Sequence, residues 1–385
     1  MIAQRRFKLR EVDVRVLEGL GLRDPRNKTK LAADLGMTRE SLSYRIRRLQ
    51  SHFSLFLQGN VYHTNIGLRK VFLDCEAKPG YENILYDCLK ANDYWLYATQ
   101  CLTVPRSLAT YGIPAGKESQ FQSFVDQLSS LDFTRNIVVS WSTCIHTVNA
   151  TGTWFDPDSE TWSFPWQSWI REVETIKEGE LPYTLKEPEA YEQLADYTDI
   201  FILKELEKNC TVKLKDIARK LGISLQLLRY HYLQHVLKKQ MFEGQQILAD
   251  HYRGLDPQTA FVRYSFSDYP KLDRFALSLI TKPFVRAIGK VYRENRLFTR
   301  VYLPNAQVRE FLRALSTLVQ EGLVDTYDCC IEDMSTTQRQ TISYEYFKDK
   351  TWEYDPRKYE ENVKMLLERS RRIVECRPSN SEISS

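Results

Sequence analysis

The chain has no apolar run near the ~18 uninterrupted residues that a membrane-spanning helix needs, which excludes such a helix. Its opening, Met1-Ile2-Ala3-Gln4-Arg5-Arg6, lacks the apolar stretch of a signal peptide. Eight cysteines, at 75, 88, 101, 144, 210, 329, 330 and 376, never fall as Cys-x-x-Cys. Neither a zinc ribbon nor a thioredoxin motif is therefore present, and reduced, packed thiols in a cytoplasm are expected. A phosphate loop, Gly-x-Ser-x-Gly and His-Glu-x-x-His are absent too. With none of these, no catalytic residue, no cofactor and no enzymatic role is expected. A hydrophobic fraction of 43% and a charged fraction of 27% exclude a largely disordered or collagen-like chain, and 385 residues suffice for two to three domains.

Charge is unevenly spread. Residues 1–60 carry thirteen Lys/Arg against six Asp/Glu, whereas residues 61–197 carry ten against nineteen. A basic module ahead of an acidic one suggests that the first meets a polyanion and the second does not.

The chain also resembles itself. Displaced by 186 residues, Asp13–Ile46 falls on Asp199–Tyr232 without a gap, and eight of the 34 positions are identical: Asp13/Asp199, Leu17/Leu203, Leu20/Leu206, Ala32/Ala218, Leu35/Leu221, Gly36/Gly222, Leu42/Leu228 and Tyr44/Tyr230. Chance gives about two. With a further shift of one, Gly67-Leu68 falls on Gly254-Leu255, and Thr161-Trp162-Ser163-Phe164 resembles Thr351-Trp352-Glu353-Tyr354. Two copies of one unit are expected.

Each unit opens with helical periodicity: Val12, Val16, Leu17 and Leu20 in the first, Ile200, Leu203 and Leu206 in the second. A short helix with Leu31, Ala32 and Leu35 stops at Gly36, and Thr38 caps a third helix running to about Gln50. Helix, glycine turn and capped helix form the helix-turn-helix pattern, repeated at Gly222-Ile223-Ser224. Downstream, strands and helices alternate as β-α-β-β-α-β, the ferredoxin-like order. In unit one the segments are Arg69–Glu76, Tyr81–Ala91, Tyr94–Leu102, Ser107–Ile113, Glu118–Leu131 and Asn136–Trp141. Unit two repeats them as Thr259–Phe266, Tyr269–Ile280, Val285–Arg293, Phe298–Leu303, Ala306–Gln320 and Val324–Glu332.

This order, with Asp13, Val16-Leu17, Leu31-Ala32, Leu35-Gly36-Met37-Thr38, Leu42, Arg45-Ile46, Leu49 and Ile66-Gly67-Leu68, resembles the Lrp/AsnC family of bacterial and archaeal regulators over residues 9–141 and, more faintly, 196–332. The resemblance implies an α+β chain of two winged helix-turn-helix domains (1–64 and 197–252), each followed by a ferredoxin-like domain (65–150 and 253–335). Trp-containing hairpin and helix extensions (151–196, ending in an acidic linker, and 336–376) and a tail (377–385) complete it. It also implies a sequence-specific regulator that binds double-stranded DNA, with the ferredoxin-like domains paired as an internal pseudo-dimer and further self-association left open. Two departures stand out: the extensions, and the stretch Thr103-Val104-Pro105-Arg106-Ser107 where the family carries a Gly-Asp signature linked with amino-acid effectors. The effector stays unknown.

With Leu42, Ile46 and Leu49 as the buried stripe of the first recognition helix, Glu40, Ser43, Tyr44, Arg47 and Arg48 point outward, and Thr38 and Arg39 sit at its N-terminus. Arginine forks match guanine edges, and a helix N-terminus favours phosphate. In the second copy Ser224, Gln226, Arg229 and Tyr230 hold the corresponding places, but Leu233 and Gln234 replace Arg47 and Arg48, so weaker DNA binding or a packing role is expected there. His231 and His235 stand at i, i+4; without a third ligand nearby, and with His235 aligned on Leu49, no metal is expected. Cys144, His146, Cys329 and Cys330 read as sheet residues, and Trp154, Trp162, Trp166 and Trp169 as hairpin and helix core.

Two alternatives stand beside the regulator. Siroheme decarboxylases also resemble Lrp/AsnC proteins, and a fused two-unit chain could mimic their paired subunits, with His and Arg side chains handling a tetrapyrrole carboxylate. A non-specific architectural DNA-binding protein is the other.

Overall fold

The computed structural model describes residues 8–177 and 179–375; the tail expected at 377–385 lies outside them. Both halves of the chain run through the same order of elements.

Each half begins with a three-helix head. In the first, Glu11–Leu22, Lys28–Asp34 and Arg39–Phe53 pack around Val14, Val16, Leu17, Leu20, Leu31, Leu42, Ile46, Leu49 and Phe53. Val14 takes the core place expected of Val12, which is only half-buried. Gly36 turns the chain at φ +66°, a conformation that a Cβ disfavours, and the Thr38 hydroxyl accepts the Ser41 amide at 3.1 Å to start the recognition helix. The second head has helices Tyr197–Lys208, Leu214–Leu221 and Leu225–Tyr230, with Gly222 at φ +67° and Ser224 accepting the Leu227 amide. Its last helix then widens into a π-helical turn over His231–Leu237, whereas the first recognition helix is α-helical throughout.

The wings are exchanged. Strand β1 (Phe56–Val61) pairs antiparallel with β8 (Phe242–Leu248), so the two heads share one ribbon. Gly59 is needed there: a Cβ would come within 2.6 Å of the Phe242 ring and 3.0 Å of the Leu206 carbonyl oxygen on the second head's first helix.

Two ferredoxin-like sheets paired within the chain were expected; the structure joins the strands of both halves edge to edge into one closed eight-stranded barrel. Its strands are β2 (Leu68–Ala77), β3 (Trp95–Cys101), β4 (Arg106–Pro114) and β5 (Thr134–Thr147) from the first half, and β9 (Pro257–Ser265), β10 (Val285–Val291), β11 (Arg296–Pro304) and β12 (Thr326–Arg339) from the second. The order around the barrel is β10-β11-β9-β12-β3-β4-β2-β5. Closure comes from the long strands β5 and β12, which run past their expected ends at Trp141 and Glu332. Ile288 faces His146 where β10 meets β5, and Arg339 faces Tyr97 where β12 meets β3. Closing the barrel satisfies edge amides that two separate sheets would leave open. Phe72, Leu108, Phe261, Phe298 and Cys330 fill part of its interior.

Helices Glu82–Leu89 and Glu118–Ser129 cover the first half of the barrel, Tyr269–Leu279 and Asn305–Gln320 the second. The extensions cross over. Hairpin β6/β7 (Phe155–Asp156, Thr161–Trp162) and helix Trp166–Thr175 cover the second half's helices, where Trp169 packs on Phe275 and Phe311 with centroids 6.0 and 6.2 Å apart. Hairpin β13/β14 (Phe347–Lys348, Thr351–Trp352) and helix Pro356–Glu375 cover the first half's, and the Trp352 indole donates to the Ile66 carbonyl at 2.6 Å. The four tryptophans expected as a hairpin core therefore seal the opposite half. Among the described residues no helix is long and apolar enough to cross a membrane.

Candidate functional site

A cavity of about 600 Å³ lies where the barrel meets the shared wing ribbon. Phe72, Leu96, Leu108, Ile145, Phe261 and Phe298 form apolar walls; Gln58, Asn60 and Gln246 of the ribbon, with Glu207 and Lys208 at the end of the second head's first helix, face them. The size and the mixture of apolar wall and few polar groups suit a sizeable organic ligand.

His63 is the unusual residue in this wall. It is 3% exposed, and its Nδ1–H donates to the Val61 carbonyl at 2.8 Å, which fixes the tautomer and leaves Nε2 as a lone pair. That Nε2 is buried without a hydrogen-bond partner. Burial first, and the nearby Lys70 cation second, hold the ring well below the usual histidine range, so it is neutral. His251 makes the similar contact in the second half, to the Ala249 carbonyl, but its Nε2 faces the Pro283 carbonyl at 3.2 Å and aromatic rings close around it. One of the two histidines keeps a nitrogen unsatisfied.

The charged groups of the wall differ in how firmly they are held. Arg300 is bound by Glu332, with Nε–Oε1 at 2.8 Å and Nη2–Oε2 at 2.5 Å, and the Tyr97 hydroxyl donates to the same carboxylate at 2.6 Å. Arg339 stands over the Tyr97 ring; desolvation, then the neighbouring Arg300, push it down to about 10. Glu207 accepts the Ile342 amide at 2.8 Å, and burial pushes it up to about 7. Glu243, close outside the wall, accepts the Cys144 thiol at 3.0 Å and is also pushed up by burial to about 7. When both acids are protonated, Lys70 and Arg339 dominate and the cavity favours anions.

Other expected sheet residues are where the sequence put them. Cys144 and His146 lie on β5, His146 with Nδ1 2.9 Å from the Thr184 hydroxyl, and Cys329 and Cys330 lie on β12. The described cysteines are unbridged. Arg106, in the stretch that departs from the Lrp/AsnC pattern, pairs with Asp328 at 2.7 Å and with buried Asp74 at 3.3 Å.

The recognition faces are partly as expected. Thr38, Arg39, Glu40, Tyr44 and Arg47 are exposed and Ser43 is half-buried. Arg48 does not join them: it turns inward to the fully buried Asp13 carboxylate and to the Lys8 carbonyl, with Arg45 on the same carboxylate at 3.3 Å. An unpaired buried carboxylate is costly enough to recruit both cations. In the second head Ser224, Gln226, Arg229 and Tyr230 are exposed, and so are the apolar side chains of Leu227, Leu233 and Leu237. His231 and His235 do find further polar partners. Asp199 and Asp196, from the head's first helix, stand against them.

No cavity residue stands out individually in the sequence. The one signal was a histidine just after each wing strand, His63 and His251, ahead of Gly67 and Gly254.

Residues 196–232, the second head, match the family described as winged helix-turn-helix DNA-binding. No curated protein matches the sequence. In fold the chain is similar to the siroheme decarboxylase NirDL, at TM-score 0.50 and 10% identity over 94% of this chain and 100% of that one. The same decarboxylase in co-complex with an iron-uroporphyrin III analogue matches at TM-score 0.49, with 10% identity over 92% and 98%. An AsnC family transcriptional regulator from Agrobacterium tumefaciens covers 40% of this chain and 100% of its own, at 17% identity and TM-score 0.33. The expectation of a non-enzyme is corrected here: the fold that accounts for nearly the whole chain is one solved for an enzyme.

Proposed function

We propose that the chain binds a carboxylate-bearing tetrapyrrole in the barrel cavity and removes a carboxyl group from it, and that its halves are copies of one ancestral unit of which only the first kept a working histidine. The observation that carries this reading is His63: a neutral, tautomer-fixed imidazole with an unsatisfied Nε2, in an apolar cavity that also presents Lys70 and Arg339. Apolar walls suit a flat macrocycle, and the cations suit its carboxylates. A ligand carboxylate near His63 favours uptake of a solvent proton at Nε2, forming the imidazolium and reversing the effect of burial. The reaction then balances without a co-reactant. The carbon–carboxylate bond breaks, carbon dioxide leaves, its bonding pair stays on carbon, and that carbon takes the proton from His63 Nε2.

The test is an anaerobic optical titration with iron-uroporphyrin III, followed by mass analysis of the macrocycle. A saturable absorbance change and loss of carbon dioxide are expected, with His63→Ala retaining the change and losing turnover. No absorbance change, or undiminished turnover in His63→Ala, overturns the proposal.

A second reading, a DNA-binding regulator of Lrp/AsnC type, is favoured by the exposed Thr38, Arg39, Tyr44 and Arg47 face and by the winged helix-turn-helix match. Selection of genomic fragments across a salt series tests it. A discrete sequence motif supports regulation, salt-sensitive binding without a motif supports an architectural role, and no binding at low salt removes both.

A further inference from the structure

The two heads solve the same electrostatic problem in opposite ways. In the first, the buried Asp13 carboxylate is met by two guanidinium cations, Arg45 and Arg48. In the second, Asp199 occupies the corresponding place and is equally buried, but His231 replaces Arg45 and His235 replaces Leu49. At the position of Arg10 stands a second acid, Asp196. Two permanent cations and one acid have given way to two acids and two imidazoles, and no Lys or Arg is paired with either acid among the described ion pairs.

The four side chains converge on one point. His231 Nδ1 lies 2.9 Å from Asp199 Oδ1 and 3.5 Å from Asp196 Oδ2; His235 Nδ1 lies 3.1 Å from Asp199 Oδ2 and 3.9 Å from Asp196 Oδ2. One ligand atom from each residue fits within a span of 4.8 Å. These separations bracket the ~3.3 Å edge of a tetrahedron whose corners are about 2.0 Å from a central ion. The π-helical turn His231–Leu237 falls on the two histidines, and the first head has no such turn. Single π turns within α-helices occur frequently at functional sites.

We infer that Asp196, Asp199, His231 and His235 form a binding site for a divalent transition-metal ion of the zinc class. Two neutral imidazoles and two carboxylates carry a net charge of −2, which one such ion cancels, and an N₂O₂ donor set suits zinc or cobalt. The ion ties the recognition helix of the second head to that head's first helix, as Arg45 and Arg48 do in the first. The inference is independent of the tetrapyrrole reading, since the site lies on the head and shares no residue with the cavity.

The experiment uses the full chain, stripped with chelator and titrated with cobalt(II). The visible absorption of tetrahedral cobalt is expected at one ion per chain, bleached by zinc, with the thermal midpoint raised by zinc. His231→Ala and Asp196→Asn should each lose the band, and His63→Ala should keep it, which separates this site from the cavity. The paired change His231→Arg with His235→Leu restores the first head's residues at those positions; it should fold without metal and show no band. No bound cobalt in the stripped wild type, an octahedral spectrum only, or an unchanged band in the paired variant each overturns the inference. In the first case the histidines serve as proton-bearing partners of Asp199 alone.

Discussion

Replacing Glu207 by glutamine removes a charge that the folded chain disfavours. Its carboxyl moves from 4.5 to about 7, chiefly by burial, against the opposing pull of the Ile342 amide and Lys70. At about 1.4 kcal/mol per tenfold change, full burial makes the folded carboxylate about 3 kcal/mol less favourable at neutral pH. Glu207 is half-buried, and solvent screening brings the expectation to about 1–2 kcal/mol. The unfolded carboxyl ionises near 4.5 and the folded one near 7, so the native state holds the proton longer. Stability from this group is therefore full below about 4.5 and lost as pH rises to about 7. Glutamine keeps an acceptor for the Ile342 amide, 2.8 Å away, and has no proton to lose. Urea unfolding of both proteins across pH should give similar midpoints near pH 4.5 and a more stable Glu207→Gln variant at about pH 8. Parallel midpoint curves over that range would refute the reasoning. The same titration charges the cavity: an anionic tetrapyrrole should bind wild type more tightly below about pH 7 than above it, and the variant should lose part of that dependence.

Three further outcomes follow from packing and pairing. Asp13→Asn leaves Arg45 and Arg48 without their carboxylate and should destabilise the chain by about 3 kcal/mol, measured by chemical unfolding. Arg39→Ala with Arg47→Ala should weaken any DNA binding without changing stability, whereas Arg48→Ala should lower the unfolding midpoint. Trp169→Ala deletes a side chain that is 1% exposed and donates to the Ser278 hydroxyl at 3.2 Å; a loss of about 3–5 kcal/mol is expected, seen as early unfolding.

Local order was legible because it depends on near neighbours. Helix Glu118–Ser129 and strand Val285–Val291 fall within a few residues of their expected bounds, since apolar periodicity over one turn or one pleat decides them. The turns at Gly36 and Gly222 were legible for the same reason. Barrel closure was not: the pairing of Ile288 with His146 joins residues that no local pattern connects. Arg48 was misplaced because a helical wheel describes one helix, and the group that draws it inward is Asp13 on another. The identity Asp13/Asp199 among otherwise apolar matches was the available clue that both heads bury an acid. The cavity was least visible, since His63, Lys70, Glu207, Arg300 and Arg339 come together only once both halves are in place.

The crossed extensions impose an order on biosynthesis. Trp154, Trp166 and Trp169 leave the ribosome long before Phe275, Phe284 and Phe311, the rings against which they pack. At 5–20 residues per second, the interval of about 110–140 residues lasts roughly 5–30 s. Through that time the nascent first half displays an aromatic surface with no partner yet translated, together with open strand edges on an unfinished barrel. Such a chain needs sheltering by chaperones until its second half emerges, and slower translation through that region should increase the demand.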